Sequence, residues 1–366
     1  MILLCLSAFI VALVAGALVM RQLHSHATRY GLGMPQRFHT GDIPRLGGAA
    51  ILAGLGVSWA LAVIQTMAGD PGSLKAGPWV LMWLCALLPA ALGGIAEDVT
   101  QRLSVTYRLS LTALSGALAV GILDISVPRI GWVDADIWLA STPWLGMAIA
   151  LFAIAGLPHA FNIIDGYNGL AGMVALIVCL ALAHVALQVG DRALAALLVS
   201  TAAATAGFLV WNYPRGMLFA GDGGAYVWGV VIAMASISLV QRNTEVSPWF
   251  PMLLLIYPVW ETLFSIYRKA VRGVSPGVAD ALHFHQLIYR RIVRGVFHDD
   301  ESRRVLMRNN RTSPYLWGFT LLTVVPAVLF WNRTGLLMAF CGLFMVSYVV
   351  AYFAIVRFKV PGWLRR

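Results

Sequence analysis

The chain has 366 residues, 60% of them hydrophobic and only 11% charged, against about 25% charged in an ordinary soluble domain. That composition excludes a soluble enzyme, a disordered chain and a disulfide scaffold, and leaves a polytopic membrane protein. Lys and Arg number 26 against 16 Asp and Glu, a net charge of +10; the basic residues lie between apolar runs, which favours a membrane surface over nucleic acid as the partner.

In chain order, apolar runs long enough to span a bilayer fall at Ile2–Met20, Leu46–Met67, Pro78–Ala96, Leu109–Val127, Pro143–Phe161, Gly169–Val189, Ala193–Trp211, Ala225–Val240, Trp249–Tyr267, Pro314–Trp331 and Gly335–Val356. The first run lacks a basic leader, and Arg21 follows it with no small-residue cleavage site, so it reads as a retained helix. Cys5, Cys85, Cys179 and Cys341 all sit inside apolar runs and form no CxxC pair, which reads as buried small hydrophobes.

Taking the connecting segments alternately, one set carries 21 Lys and Arg and the other 5. The positive-inside rule places the first set in the cytoplasm, the N-terminus outside and the C-terminus inside. The expected fold is all-α, a single transmembrane domain over residues 1–366 with about 11 spanning helices and a long basic cytoplasmic loop at 268–313. Within that loop, Leu282, Leu287, Ile288 and Ile292 alternate with basic residues, predicting a short amphipathic helix on the membrane surface between Asp280 and Arg294.

The polar residues collect at the ends of spans on this basic side: Glu97 and Asp98 after the third, Asn162, Asp165 and Asn168 after the fifth, Asn212 after the seventh, Asp222 before the eighth, and His283 and His285 in the long loop. Acids beside apolar segments are costly unless they face a cavity or a partner, so several at one depth predict a shared polar site. In Asn162-Ile-Ile-Asp165-Gly-Tyr-Asn168 the polar side chains recur every third position and share a face; the same pattern suits a capped helix end. Asp222 between glycines suits a hard cation such as Mg2+ and equally an ordinary turn. Arg45 beside Gly47-Gly48 suits phosphate oxygens or plain anchoring. His283-Phe-His285 is spaced so that the two rings do not share a helical face, and no third ligand nearby suggests zinc. Glu261 is the one acid well inside a span, expected to line the cavity or to pair with a base near Arg268.

Taken in order, the segments RFHTGDIPRLGG (37–48), GGIAEDVTQRLSVTYRL (93–109), HAFNIIDGYNGLAG (159–172), NYPRGMLFAGDGG (212–224) and the loop from YRKAVRG (267–273) to HFH (283–285) resemble the polyprenyl-phosphate N-acetylhexosamine-1-phosphate transferases, a family that includes the phospho-N-acetylmuramoyl-pentapeptide translocase. The resemblance implies a Mg2+-dependent (alternatively Mn2+-dependent) enzyme of the bacterial inner membrane with its site on the cytoplasmic face. It would move a sugar-1-phosphate from a UDP-N-acetylhexosamine to undecaprenyl phosphate, release UMP, and start an O-antigen or other surface polysaccharide. It implies that Asp222 and Asn162 hold the metal. Asp98, Glu97, Asp165, His283 and His285 would act in catalysis, and Asn168, Asn212 and Arg45 would contact the nucleotide sugar or phosphate. The expected partners are those two substrates and the bilayer, with a homodimer left open and no nucleic acid. Glu97 stands where many relatives have Asp, and Phe284 interrupts a histidine triplet of the translocase branch. The translocase activity itself is the alternative within the enzymes; a transporter is the alternative outside them, and the lack of an internal repeat speaks against it.

Overall fold

The computed structural model describes residues 1–22, 43–70, 76–273, 282–296 and 298–357. The motif residues 37–42 and the start of the expected amphipathic helix, Asp280 and Ala281, lie outside the described residues. Among the described residues the secondary structure is helical throughout, with no strand.

Among the described residues, ten helices are long and apolar enough to cross a membrane. They are α1 (Ile2–Gln22), α2 (Gly47–Met67), α3 (Gly77–Thr100), α4 (Val105–Leu123), α6 (Pro143–Ile164), α7 (Leu170–Gln188), α8 (Arg192–Asn212), α9 (Gly221–Arg242), α13 (Glu301–Leu329) and α14 (Thr334–Val356). A short helix, α5 (Val133–Ser141), joins α4 to α6. The ninth apolar run is not one continuous helix. It forms α10 (Trp249–Leu254) and α11 (Ile256–Val271), which meet at Leu255. Pro258 has no N–H to offer the carbonyl of Leu254, so the ladder cannot run through unbroken.

Three further boundaries differ from the hydropathy reading for a physical reason. α13 begins at Glu301, well before Pro314, because Asp300 accepts from the backbone N–H of Ser302 and Arg303 and caps a polar first turn. α4 begins at Val105, capped by the Ser104 hydroxyl on Tyr107 N, so Arg108 lies in its first turn. The segment expected as a surface amphipathic helix is instead a run of α12 (Phe284–Leu287), a π turn (Ile288–Ile292) and a 3-10 turn (Val293–Gly295). His283, Phe284, His285, Leu287, Ile288 and Ile292 are buried in the protein. The basic residues Arg290, Arg291 and Arg294 therefore ride on a segment held by its own apolar face.

The helix α9 is the axis of the bundle. In its apolar window 94% of residues are buried, against 22% in α1 and in α4. Lipid is as apolar as leucine, so spans associate through close backbone approach at small residues. A Cβ at Gly94 of α3 would lie 2.7 Å from the Gly223 Cα of α9, so these two helices touch backbone to backbone. Such contact fixes the start of α9 against the end of α3. On the outside, Leu3, Leu6, Ile10, Val14 and Leu18 form an exposed apolar stripe along α1, as a lipid-facing helix requires.

Candidate active site

The start of α9 lacks a cap of its own. Its N-cap position is Ala220, which offers no side-chain acceptor, and the first turn of any helix leaves N–H donors unsatisfied. The acceptor comes from another helix: Asp98, in the last turn of α3, takes Asp222 N on Oδ1 and Gly223 N on Oδ2, both at 2.8 Å. A carboxylate at a helix N-terminus is favoured by hydrogen bonding and by the helix dipole. Gly221, at φ +68, makes the turn into the helix, and the Asp98 carboxylate occupies the space a Cβ there would need. The segment before α9 is tied to the start of α2 by three backbone bonds: Phe219 N to the Pro44 carbonyl, Gly47 N to that of Phe219 and Gly48 N to that of Ala220.

So clamped, the Asp222 side chain becomes the point of convergence. Asn162 Nδ2, from the last turn of α6, donates to its Oδ1 at 2.7 Å. The Arg108 guanidinium, from the first turn of α4, meets its Oδ2 at 2.6 Å. Tyr226, one turn along α9, reaches the same oxygen at 3.4 Å and His159 Nδ1 at 3.5 Å. Asp165 lies in the loop after α6, half-buried, with no hydrogen-bond partner for its carboxylate among the described residues. Burial pushes that carboxyl up to about 7; the Arg45 charge opposes the shift and the Asp222 charge adds to it. Arg45 acts on both Asp98 and Asp165. Three carboxylates therefore face two guanidiniums when all are ionised, and one negative charge is left over.

The remaining sequence-predicted residues divide by what they touch. Glu97 turns away from Asp222 and accepts from Leu103 N at 2.8 Å, closing the turn between α3 and α4. Asn212 spends its amide on the chain: Oδ1 takes Gly169 N at 2.6 Å and Nδ2 gives to the Leu218 carbonyl at 2.8 Å. Asn168 is held by α13: its backbone N–H donates to Asn309 Oδ1 and its Nδ2 donates to Asn310 Oδ1. Its own Oδ1 is buried with no partner among the described residues. His283 precedes α12 in an extended conformation, at φ −64 and ψ 149. That release from helical geometry lets the two imidazoles stack at 5.4 Å and 5°, contrary to the expectation from their spacing. His285 packs beside Gly166 and edge-on to Tyr167, next to the Asp165 loop. Glu261 pairs with His283, not with Arg268.

Arg108, His159 and Tyr226 were missed as site residues. His159 stands three residues before Asn162 and Tyr226 four after Asp222, so the helical period alone would have flagged both.

The family model described as glycosyl transferase family 4 matches residues 80–240. That stretch carries Asp98, Asn162, Asp165, Asn168, Asn212 and Asp222 and stops short of Glu261 and the histidine pair. A Bacillus subtilis protein named probable undecaprenyl-phosphate N-acetylglucosaminyl 1-phosphate transferase is 26% identical over 265 residues, 72% of this chain and 69% of its own length. Over this stretch the chain is similar to glycosyl transferase family 4 and to undecaprenyl-phosphate N-acetylglucosaminyl 1-phosphate transferases, which supports the polyprenyl-phosphate N-acetylhexosamine-1-phosphate transferase family. An undecaprenyl-phosphate alpha-N-acetylglucosaminyl 1-phosphate transferase of Escherichia coli is 24% identical over 69% of this chain and 66% of its own length. One of that name from Thermotoga maritima is 27% identical over 56% of this chain and 60% of its own length.

Proposed function

We propose that this chain transfers a sugar-1-phosphate from a UDP-N-acetylhexosamine, GlcNAc-like or a deoxy derivative, to undecaprenyl phosphate. An oxygen of the lipid phosphate attacks the sugar-bearing phosphorus of the donor, the bond to the bridging oxygen breaks, and UMP leaves with that oxygen. The lipid diphosphate sugar then starts an O-antigen or another cell-surface polysaccharide. The observation that carries the reading is the convergence on Asp222 of Asn162, Arg108 and the Asp98-capped turn, drawn from four helices whose end turns meet there.

Phosphoryl transfer asks mainly for positioning and charge neutralisation. A phosphate monoester has a second pKa near 6, so the acceptor is largely a dianion at neutral pH and needs no strong base. In this reading Asp98, with both oxygens on the backbone of α9, acts by fixing Asp222. Arg108 and Arg45 supply positive charge for phosphate oxygens. Asn168 offers a buried carboxamide oxygen to a donor group of the nucleotide sugar.

Mg2+ fits this donor set. Among the described residues no three His, Cys, Asp or Glu side chains gather into a cage, and Mg2+ at phosphate sites characteristically takes one or two protein oxygens and completes its shell with water and substrate phosphate. Asp222 and Asn162 would hold it, and a cation would balance the negative charge left over when all three carboxylates are ionised. Bound there, it would neutralise charge on the diphosphate and on the departing UMP.

The site would face the cytoplasm of a bacterial inner membrane, because the loops around it belong to the set with 21 of the 26 basic residues. The test is chemical. Purified chain, labelled UDP-N-acetylhexosamine, undecaprenyl phosphate and Mg2+ should yield UMP and a butanol-extractable labelled lipid, both abolished by EDTA. No lipid product with any member of a UDP-N-acetylhexosamine panel contradicts the reading.

A further inference from the structure

The histidine loop is anchored by a charge inside the bundle. Glu261 on α11 is fully buried, with 0% of its surface exposed. Its carboxylate accepts from His283 Nδ1 at 3.0 Å, from Phe284 N at 3.1 Å and from the Tyr348 hydroxyl of α14 at 2.7 Å. Two turns further along α11, Arg268 donates to the Leu282 carbonyl and to Tyr352 at 2.7 Å. Residues 282, 283 and 284 are thus gripped one after another by one helix. A buried carboxylate is costly unless its partners meet it, and here three hydrogen-bond donors do.

The grip has a chemical consequence. With Nδ1 turned to the carboxylate, Nε2 is the ring nitrogen of His283 available to a substrate. The stacked ring of His285 carries the same orientation to the Asp165 loop, where it meets Gly166 and Tyr167. We propose that Glu261 is a positioning residue for the sugar-1-phosphate transfer: it accepts from Nδ1–H of His283 and so aims Nε2 at a phosphate oxygen, to which that nitrogen donates when the ring is doubly protonated. The inference rests on the reaction proposed above. The groups that face the pair are Tyr257 and Arg268 on α11, Tyr348 and Tyr352 on α14, His285 in the same loop, and Tyr167 beyond it. Glu261 supplies the carboxylate that meets the ring.

Glu261→Gln keeps the shape and removes the charge. In vesicles containing undecaprenyl phosphate, with Mg2+ and UDP-GlcNAc or the best donor of the panel, kcat should fall about 10- to 100-fold, as for loss of a group that orients a reacting histidine. KM for the donor should stay within about threefold. Tyr348→Phe removes a neighbouring bond of the same carboxylate and should leave kcat within about threefold. Nitrogen-15 spectra of histidine-labelled full chain, assigned by His283→Gln, should show His283 protonated at Nδ1 whether or not the Gln variant folds.

A folded Glu261→Gln with unchanged kcat overturns the proposal, as does a loss that Tyr348→Phe reproduces in proportion to lowered thermal stability. A neutral His283 that carries its proton on Nε2 and none on Nδ1 overturns it as well. A wild-type chain that releases no UMP from any donor refutes the reaction instead, and the spectrum then decides the Glu261–His283 pair by itself.

Discussion

The two halves of the candidate site are held by different means. On the Asp222 side, backbone carries the geometry: three main-chain bonds between the starts of α2 and α9, glycines that let α3 and α9 touch, and Asp98 as a cap supplied by another helix. On the histidine side, side chains carry it: Glu261 and Arg268 grip a loop whose own helical content is short. A backbone clamp places one carboxylate and leaves it little freedom, which suits a group that must hold a cation. A side-chain grip sets the protonation and aim of a ring, which suits a group that meets a changing phosphate. Loss of a side chain should therefore read out differently on the two sides.

The largest effect falls at the point of convergence. Asp222→Asn should lower kcat by about 1,000-fold or more, since charge stabilisation at a transferring phosphoryl group is lost, with normal insertion and an unchanged elution profile. Next comes Asp98→Ala, which leaves two first-turn donors of α9 unmet. We expect a kcat lower by about 100-fold, the scale of a small misplacement of a reacting group, together with a lower melting temperature in detergent from the lost cap, worth about 1 kcal/mol. If activity vanishes while melting is unchanged, Asp98 takes part in the chemistry itself and the contrast between clamp and grip fails on that side. Glu261→Gln belongs below these, with its effect in kcat and not in KM.

Asp165 gives a smaller effect with a sign. Its carboxyl titrates at about 7 in the folded chain and near 3.9 when unfolded. Between those values the folded state keeps a proton that the unfolded chain has released, so stability falls as pH rises from about 4 to about 7. Asp165→Asn removes the penalty. The ligand-free variant should melt with the wild type near pH 4 and above it at pH 8, by about 2–4 °C. A variant that melts lower at pH 8 would show that the carboxylate is stabilised by its surroundings. Glu97→Gln should be the mildest, within about twofold in kcat, because a carboxamide oxygen still accepts from Leu103 N.

The same contrast explains what the sequence made legible. Hydropathy located the spans, because burying apolar residues is what those segments do, and it found Asp98, Asn162, Asp165 and Asp222 as polar residues arriving at one depth. It placed helix ends too close to the apolar cores. Asp98, Asn162, Arg108 and Asp222 sit in last or first turns of helices, where capping and not hydropathy sets the boundary. Asn212 looked like a pocket residue by position, yet its amide bridges Gly169 and Leu218. The break at Leu255 had a local signal in Pro258. The partners of Glu261 had none: His283 is 22 residues away and Tyr348 is 87, and no periodicity joins them. Such pairings are decided by the packed bundle, where an unpaired buried carboxylate would be too costly to keep.

The central claim is that Asp222 holds a divalent cation against a diphosphate, and it can be measured without turnover. Mn2+ serves as the spectroscopic probe, titrated into the purified chain with UDP present and followed by electron paramagnetic resonance. The account predicts one tightly bound Mn2+ per chain that requires UDP and is displaced by Mg2+, and no such binding in Asp222→Asn although the variant is folded. Equal Mn2+ binding by the wild type and by Asp222→Asn would contradict it.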